Sequence, residues 1–164
     1  MTELLHNFIE SLREELRQYG GLLALLELEQ TQVVRRLADE LLETVSAVNA
    51  QGEAIQVARR EREQRQRELA RELGLPEDAR VAAMTTVMPE ALRPLVMALV
   101  DENNQLLGRV HQRARQNHIL LSRSVQLMQQ FINSFCAVGV PTYTDAGTVI
   151  RPAAQGRSLY EAVG

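Results

Sequence analysis

Between Pro89 and Phe135, apolar residues recur in steps of three and four, at Leu92, Val96, Leu99, Leu106, Val110, Ala114, Leu121, Val125, Met128, Ile132 and Phe135. Such steps keep one stripe on one face of an α-helix, and no proline interrupts them after Pro94. At 1.5 Å rise per residue the helix would be roughly 70 Å long, so it must lie along other long helices. Asn103 and Asn117 fall in this stripe where Leu would be ordinary. A buried Asn in a helical seam lowers stability and fixes register or oligomer state; a half-exposed Asn that happens to fall in phase is the plainer reading.

Residues 2–36 carry a second seam: Leu5, Ile9, Leu12, Leu16, Tyr19, Leu23, Leu26, Gln30, Val33 and Leu37. Gly20 and Gly21 lie inside it and should cost about 1 kcal/mol each relative to Ala, which favours close packing against a neighbour over a locally weak helix. The same register continues through Leu41, Val45 and Val48 with no Pro or Gly before Gly52. Periodicity alone would therefore carry this helix to about residue 50. From Glu53 the chain turns polar, and only Ile55, Ala58, Leu69 and Leu73 form a thin stripe among interleaved Arg and Glu. Mixed signs at spacings of three and four suit a solvated face with weak ion pairs.

Gly74 reads as a helix C-cap with Pro76 just beyond it, and Pro89 as a helix start. One or two helical turns are expected between them, at Glu77 to Thr85. After Cys136 the period is lost among Gly139, Pro141, Gly147, Pro152 and Gly156. The expected layout is a helical domain over 1–137, with helices near 2–36, 39–73, 77–85 and 89–136. A tail over 138–164 follows and keeps Tyr143, Val149, Ile150, Leu159 and Tyr160, apolar material suited to ordering on a partner.

Of the 164 residues 45% are apolar, but aromatics make up only 4% and Trp is absent. Long helices packed through Leu, Val and Ala account for this better than a ring-rich globular core. The fold class predicted is all-α, an antiparallel bundle of three to four long helices with a flexible C-terminal tail. The net charge of −3, from 18 basic and 21 acidic residues spread along the chain, gives no footprint for nucleic acid. Cys136 is the single cysteine and cannot form an internal disulfide. With no signal-like start and no run of 18 apolar residues, a cytosolic protein without a membrane span is expected.

The histidines His6, His111 and His118 form no metal pair at helical i, i+4 spacing. No phosphate-cradling glycine loop or nucleophile elbow is present, so neither enzymatic activity nor a cofactor is expected.

Two long helical segments with Glu29-Gln30 in the first come before a Glu/Arg-rich second helix. A late helix then contains Arg115-Gln116-Asn117-His118-Ile119-Leu120-Leu121, followed by Pro141-Thr142-Tyr143-Thr144-Asp145-Ala146-Gly147. This order resembles the FlgN family of flagellar export chaperones. The family pattern often has a second Asn three residues before the one matching Asn117, where this chain has Ala114. The resemblance implies a break of the first helical segment near Leu37 to Glu40. It also implies a cytosolic chaperone that holds hook-associated (hook-filament junction) proteins, prevents their premature assembly and brings them to the export gate of the flagellar type III apparatus. The tail tyrosine matching Tyr143 would be the contact with the cytoplasmic domain of that gate.

A free chaperone needs exposed apolar surface, and the densest apolar face ends the last helix. Asn117, Leu120, Leu121, Val125, Met128, Phe131 and Phe135 are therefore the expected client-binding residues, by the helix-in-groove mode. The alternative is that they only pack the bundle. For Tyr143 the alternative is that it folds back to cap the helices. A rival for the whole chain is a structural or signalling coiled coil that uses its long helices to form a homodimer.

Overall fold

The computed structural model describes residues 2–137, with side chains to residue 134, and the backbone of Thr142–Tyr143 and Val149–Ile150. Four α-helices run in the order α1 (Thr2–Arg35), α2 (Ala38–Glu72), α3 (Val81–Val87) and α4 (Arg93–Ala137), with a 3₁₀ turn at Glu90–Leu92 leading into α4. The chain divides into two compact units, Met1–Leu121 and Ser122–Gly164. The fold is all-α.

In the first unit α2 turns back on α1. Gln51 of α2 donates to the carbonyl of Gln18 at 2.9 Å, and Arg62 meets Glu15 at 2.8 Å. The third helix, α4, runs parallel to α1: Asn103 reaches the carbonyl of Leu12, and Asn117 that of Leu26. Each helix is thus antiparallel to α2, the up-down-up order that short connections impose.

Two clusters form the core. At one end Leu5, Phe8 and Leu12 of α1 pack with Leu69 and Ala70 of α2, Met84 of α3 and Val96 and Leu99 of α4. Further along, Tyr19, Leu23 and Leu26 meet Ile55 and Val110. Full burial of each such aliphatic or Phe side chain contributes about 1.5–3 kcal/mol, and Met84 of the short α3 and Met88 at its C-cap both pack into the first cluster.

The break after α1 falls at Arg36 and Leu37, and its geometry explains it. Arg36 takes a left-handed φ of 59°. Leu37 N–H bonds the carbonyl of Gln32 at 3.0 Å and Arg36 N–H that of Val33 at 3.2 Å, the paired bonds of a Schellman motif. The same motif ends α2, where Gly74 has φ 71° and Leu75 N–H bonds the carbonyl of Ala70 at 2.9 Å. Here the left-handed residue is glycine, which meets no Cβ penalty. The helical turns expected from Glu77 lie later, at Val81–Val87, and Arg93 ties off their last carbonyls by donating to Thr86 at 3.0 Å and Met88 at 2.9 Å.

The Glu/Arg-rich face of α2 is only partly solvated. Arg65 and Glu68 pair at 3.1 Å on the outside, but Arg62 turns inward to the buried Glu15. Of the two glycines in α1, Gly21 has a close neighbour, the side chain of Gln51, while nothing approaches Gly20.

In the second unit, Thr142–Tyr143 pairs antiparallel with Val149–Ile150, Tyr143 opposite Val149.

Candidate binding surface at the end of the last helix

Residues 124–136 read Ser-Val-Gln-Leu-Met-Gln-Gln-Phe-Ile-Asn-Ser-Phe-Cys and carry no charge. They continue α4 within the second unit, and every described side chain from 123 to 134 is exposed. Val125, Leu127 and Met128 are each 66% exposed, Phe131 64% and Ile132 48%. Steps of three and four between Val125, Met128 and Ile132 put them on one face, with Leu127 and Phe131 beside it. The polar side chains between them are amides and hydroxyls, such as Gln129, which donates to Asn133 at 3.2 Å. An exposed apolar surface of this continuity makes the stretch a candidate interaction site. Without charges, what it can do chemically is bury apolar surface against another apolar face.

The other expected contact residues are placed differently. Asn117 lies in the first unit at 2% exposure, its amide committed to the carbonyl of Leu26 at 2.7 Å and to Glu29 at 2.6 Å. In this conformation it offers no surface to a partner. Leu120 and Leu121, also in the first unit, are half-buried. The side chains of Phe135 and Tyr143 lie outside the described residues; the backbone of Tyr143 is in the short strand pair. Leu127, not among the expected residues, lies beside the stripe of Val125, Met128 and Ile132 just as Phe131 does.

A polar cluster in the first unit was also missed. Glu15, 5% exposed, accepts from Tyr19 at 2.9 Å and from Arg62 at 2.8 Å. Burial, and then the Glu15 charge, push the Tyr19 hydroxyl up to about 12. The signal available in sequence was the position of Glu15, three residues from Leu12 and four from Tyr19, which lie on the same face. Among the described residues no group of three His, Cys, Asp or Glu could hold a metal ion, and no helix is long and apolar enough to cross a membrane.

A family model described as FlgN protein matches residues 1–150, which takes in all four helices and Tyr143. The chain belongs to the FlgN family. No curated protein and no solved structure matches it. FlgN membership implies a flagellar export chaperone in general terms, and an uncharged apolar helix end is the kind of surface such a chaperone would present.

Proposed function

We propose that this FlgN-family chain is a cytoplasmic chaperone that holds hook-associated proteins before their secretion and delivers them to the flagellar export gate. The observation that carries the reading is the exposed uncharged stripe of Val125, Met128, Phe131 and Ile132. Proteins that assemble coaxially expose apolar terminal helices before assembly, and an apolar helix face can cover one of them. The proposed client contacts also include Phe135 and, in the first unit, Leu120, Leu121 and Asn117. Tyr143 docks on the cytoplasmic domain of the gate. The work is binding and release, with no reaction catalysed and no cofactor consumed.

Titration of hook-associated proteins by calorimetry tests the reading. Met128→Ala together with Phe131→Ala should weaken binding more than tenfold, since interface hot spots cost about 2 kcal/mol or more. Unchanged affinity for every hook-associated protein of the source cell would refute it. The heptad-like spacing of Val125, Met128 and Ile132 also suits a homodimeric coiled coil. That reading predicts a stable dimer disrupted by the same substitutions, with no client bound.

A further inference from the structure

Burial changes character along the first unit. The two apolar clusters take in α1 as far as Leu26, α2 from Val48 onward and α4 as far as Ala114. Past them, toward the turn between α1 and α2, the described residues that are buried are Glu29 and Gln32 of α1, Thr44 of α2 and Asn117 of α4. All four are polar. Leu28, Val34 and Leu42 of the same segments are 46%, 70% and 71% exposed, so little apolar area is removed from water here. Gln32 Oε1 and Asn117 Oδ1 are moreover buried without a partner, which lowers the stability of this end further.

On α4 the buried residues are Val96, Leu99, Asn103, Val110 and Asn117, and no described side chain after Asn117 is buried. This last one is held through a single nitrogen, Nδ2, which donates to the carbonyl of Leu26 at 2.7 Å and to the carboxylate of Glu29 at 2.6 Å. Arg113, partly exposed, adds a bond to Gln30 and a 3.7 Å approach to Glu27. A buried carboxylate gives up its hydration, and the bond to Asn117 returns that loss only in part. Water can replace both partners as soon as they separate. The hold of α4 on α1 at residues 115–121 therefore rests on one amide, whereas at residues 96–110 it rests on packed side chains.

We propose that Asn117 and Glu29 form a latch: residues 115–121 of α4 detach from α1 and reattach while the clusters around Phe8 and Tyr19 stay folded. Glu29 is a positioning residue in this device, because it acts through Asn117. Seven residues are two helical turns, about 10 Å of axis, so the latch sets how much of α4 is bound to α1 and how much is free. The inference concerns the free chain and does not depend on the client reading of α4.

The test is amide exchange of the ¹⁵N-labelled full-length chain in low urea, followed by NMR. Amides of residues 115–121 should exchange through an opening with roughly tenfold lower protection, and weaker urea dependence, than those of residues 96–110. Leu69→Ala removes a fully buried side chain of the first cluster. It should lower protection at residues 96–110 by roughly tenfold or more and leave residues 115–121 within about threefold. Glu29→Leu combined with Asn117→Leu replaces both polar partners by apolar ones, and should raise protection at residues 115–121 by roughly tenfold. One common protection along α4 that Leu69→Ala lowers throughout overturns the proposal. So does a double variant that leaves protection at residues 115–121 unchanged or lower. Asn117→Ala keeps the test open if the double variant fails to fold: it should lower protection at residues 115–121 by roughly threefold or more, and no change there would mean that the helix end only frays, without a latch.

Discussion

Asn117 donates to the carboxylate of Glu29 at 2.6 Å, and this pair is buried where α4 lies along α1. Two heptads earlier Asn103 bonds the carbonyls of Leu12 and Leu99, while the carboxylate of Glu15 is engaged by Arg62 and Tyr19. The two amides look alike in sequence and differ in what depends on them. Among the described residues Asn117 is the only side chain bonded to Glu29. Asn117→Leu would bury that carboxylate without a donor, at a cost of about 1–3 kcal/mol. Asn103→Leu leaves only carbonyls that keep their own helical bonds, so its effect should stay within about 1 kcal/mol. Urea denaturation of both variants at constant m-value measures the contrast, and equal losses would contradict it.

Arg36 holds a φ of 59° at the end of α1. A left-handed conformation costs a non-glycine residue roughly 1–2 kcal/mol, part of which glycine returns through its freer unfolded chain. Arg36→Gly should therefore raise stability by about 0.5–1 kcal/mol, visible as a higher melting temperature. A lower melting temperature would mean that the Arg36 side chain supplies more than its backbone costs.

Gly20 lies inside α1 with nothing within 4 Å of where a Cβ would stand. Gly20→Ala should stabilise the chain by about 1 kcal/mol through helix propensity alone. At Gly21 the new Cβ would meet Gln51 Nε2 at 3.1 Å, and that nitrogen bonds the Gln18 carbonyl at 2.9 Å and its Oε1 at 2.7 Å. Gly21→Ala should gain less, and chemical denaturation of the pair ranks them.

Tyr19 titrates near 12, against an ordinary value of about 10 for tyrosine. A raised folded value means that the neutral hydroxyl is favoured by folding. Its contribution is complete below the unfolded value and is lost as pH rises through the folded one. Stability should fall between about pH 10 and pH 12, and Tyr19→Phe should flatten that decline. An equally steep decline in the variant would assign the loss elsewhere.

Met128 and Phe131 are exposed, whereas Leu69 is fully buried. Met128→Ala should shift stability by less than about 0.5 kcal/mol, and Leu69→Ala should cost about 2–5 kcal/mol. Under the chaperone proposal the first substitution weakens client binding at an unchanged melting temperature, and Tyr143→Ala weakens gate binding more than tenfold while sparing the client. Parallel losses toward client and gate would remove the separate docking role of Tyr143.

The repeat of apolar residues revealed α1 and α4 because their periods are long and their core side chains aliphatic. It could not reveal the break at Arg36, since a Schellman turn there uses Arg where glycine would have announced it, and only the family resemblance pointed to that window. Polar positions misled more than apolar ones. Glu15, Glu29 and Gln32 are buried on the inner face of α1, while Leu16, Gln30 and Val33, which the repeat favoured, are only half-buried. A carboxylate can take a seam position when another helix brings it a partner, and that partner is invisible until the helices are aligned. The same holds for Arg62, which resembles its solvated neighbours in sequence and differs from them only by facing Glu15.

The exposed stretch of α4 in the second unit also has a thermodynamic consequence. Helical turns that bury little side-chain surface draw little stability from packing, and every described side chain from 123 to 134 is exposed. Backbone bonds beside exposed side chains open at lower free-energy cost than those of the buried core, toward the lower end of the range that amide exchange explores. A surface so lightly held can adjust its last turns to the shape of whatever it covers. It thereby gives up some affinity to ordering, in return for accepting partners of more than one contour.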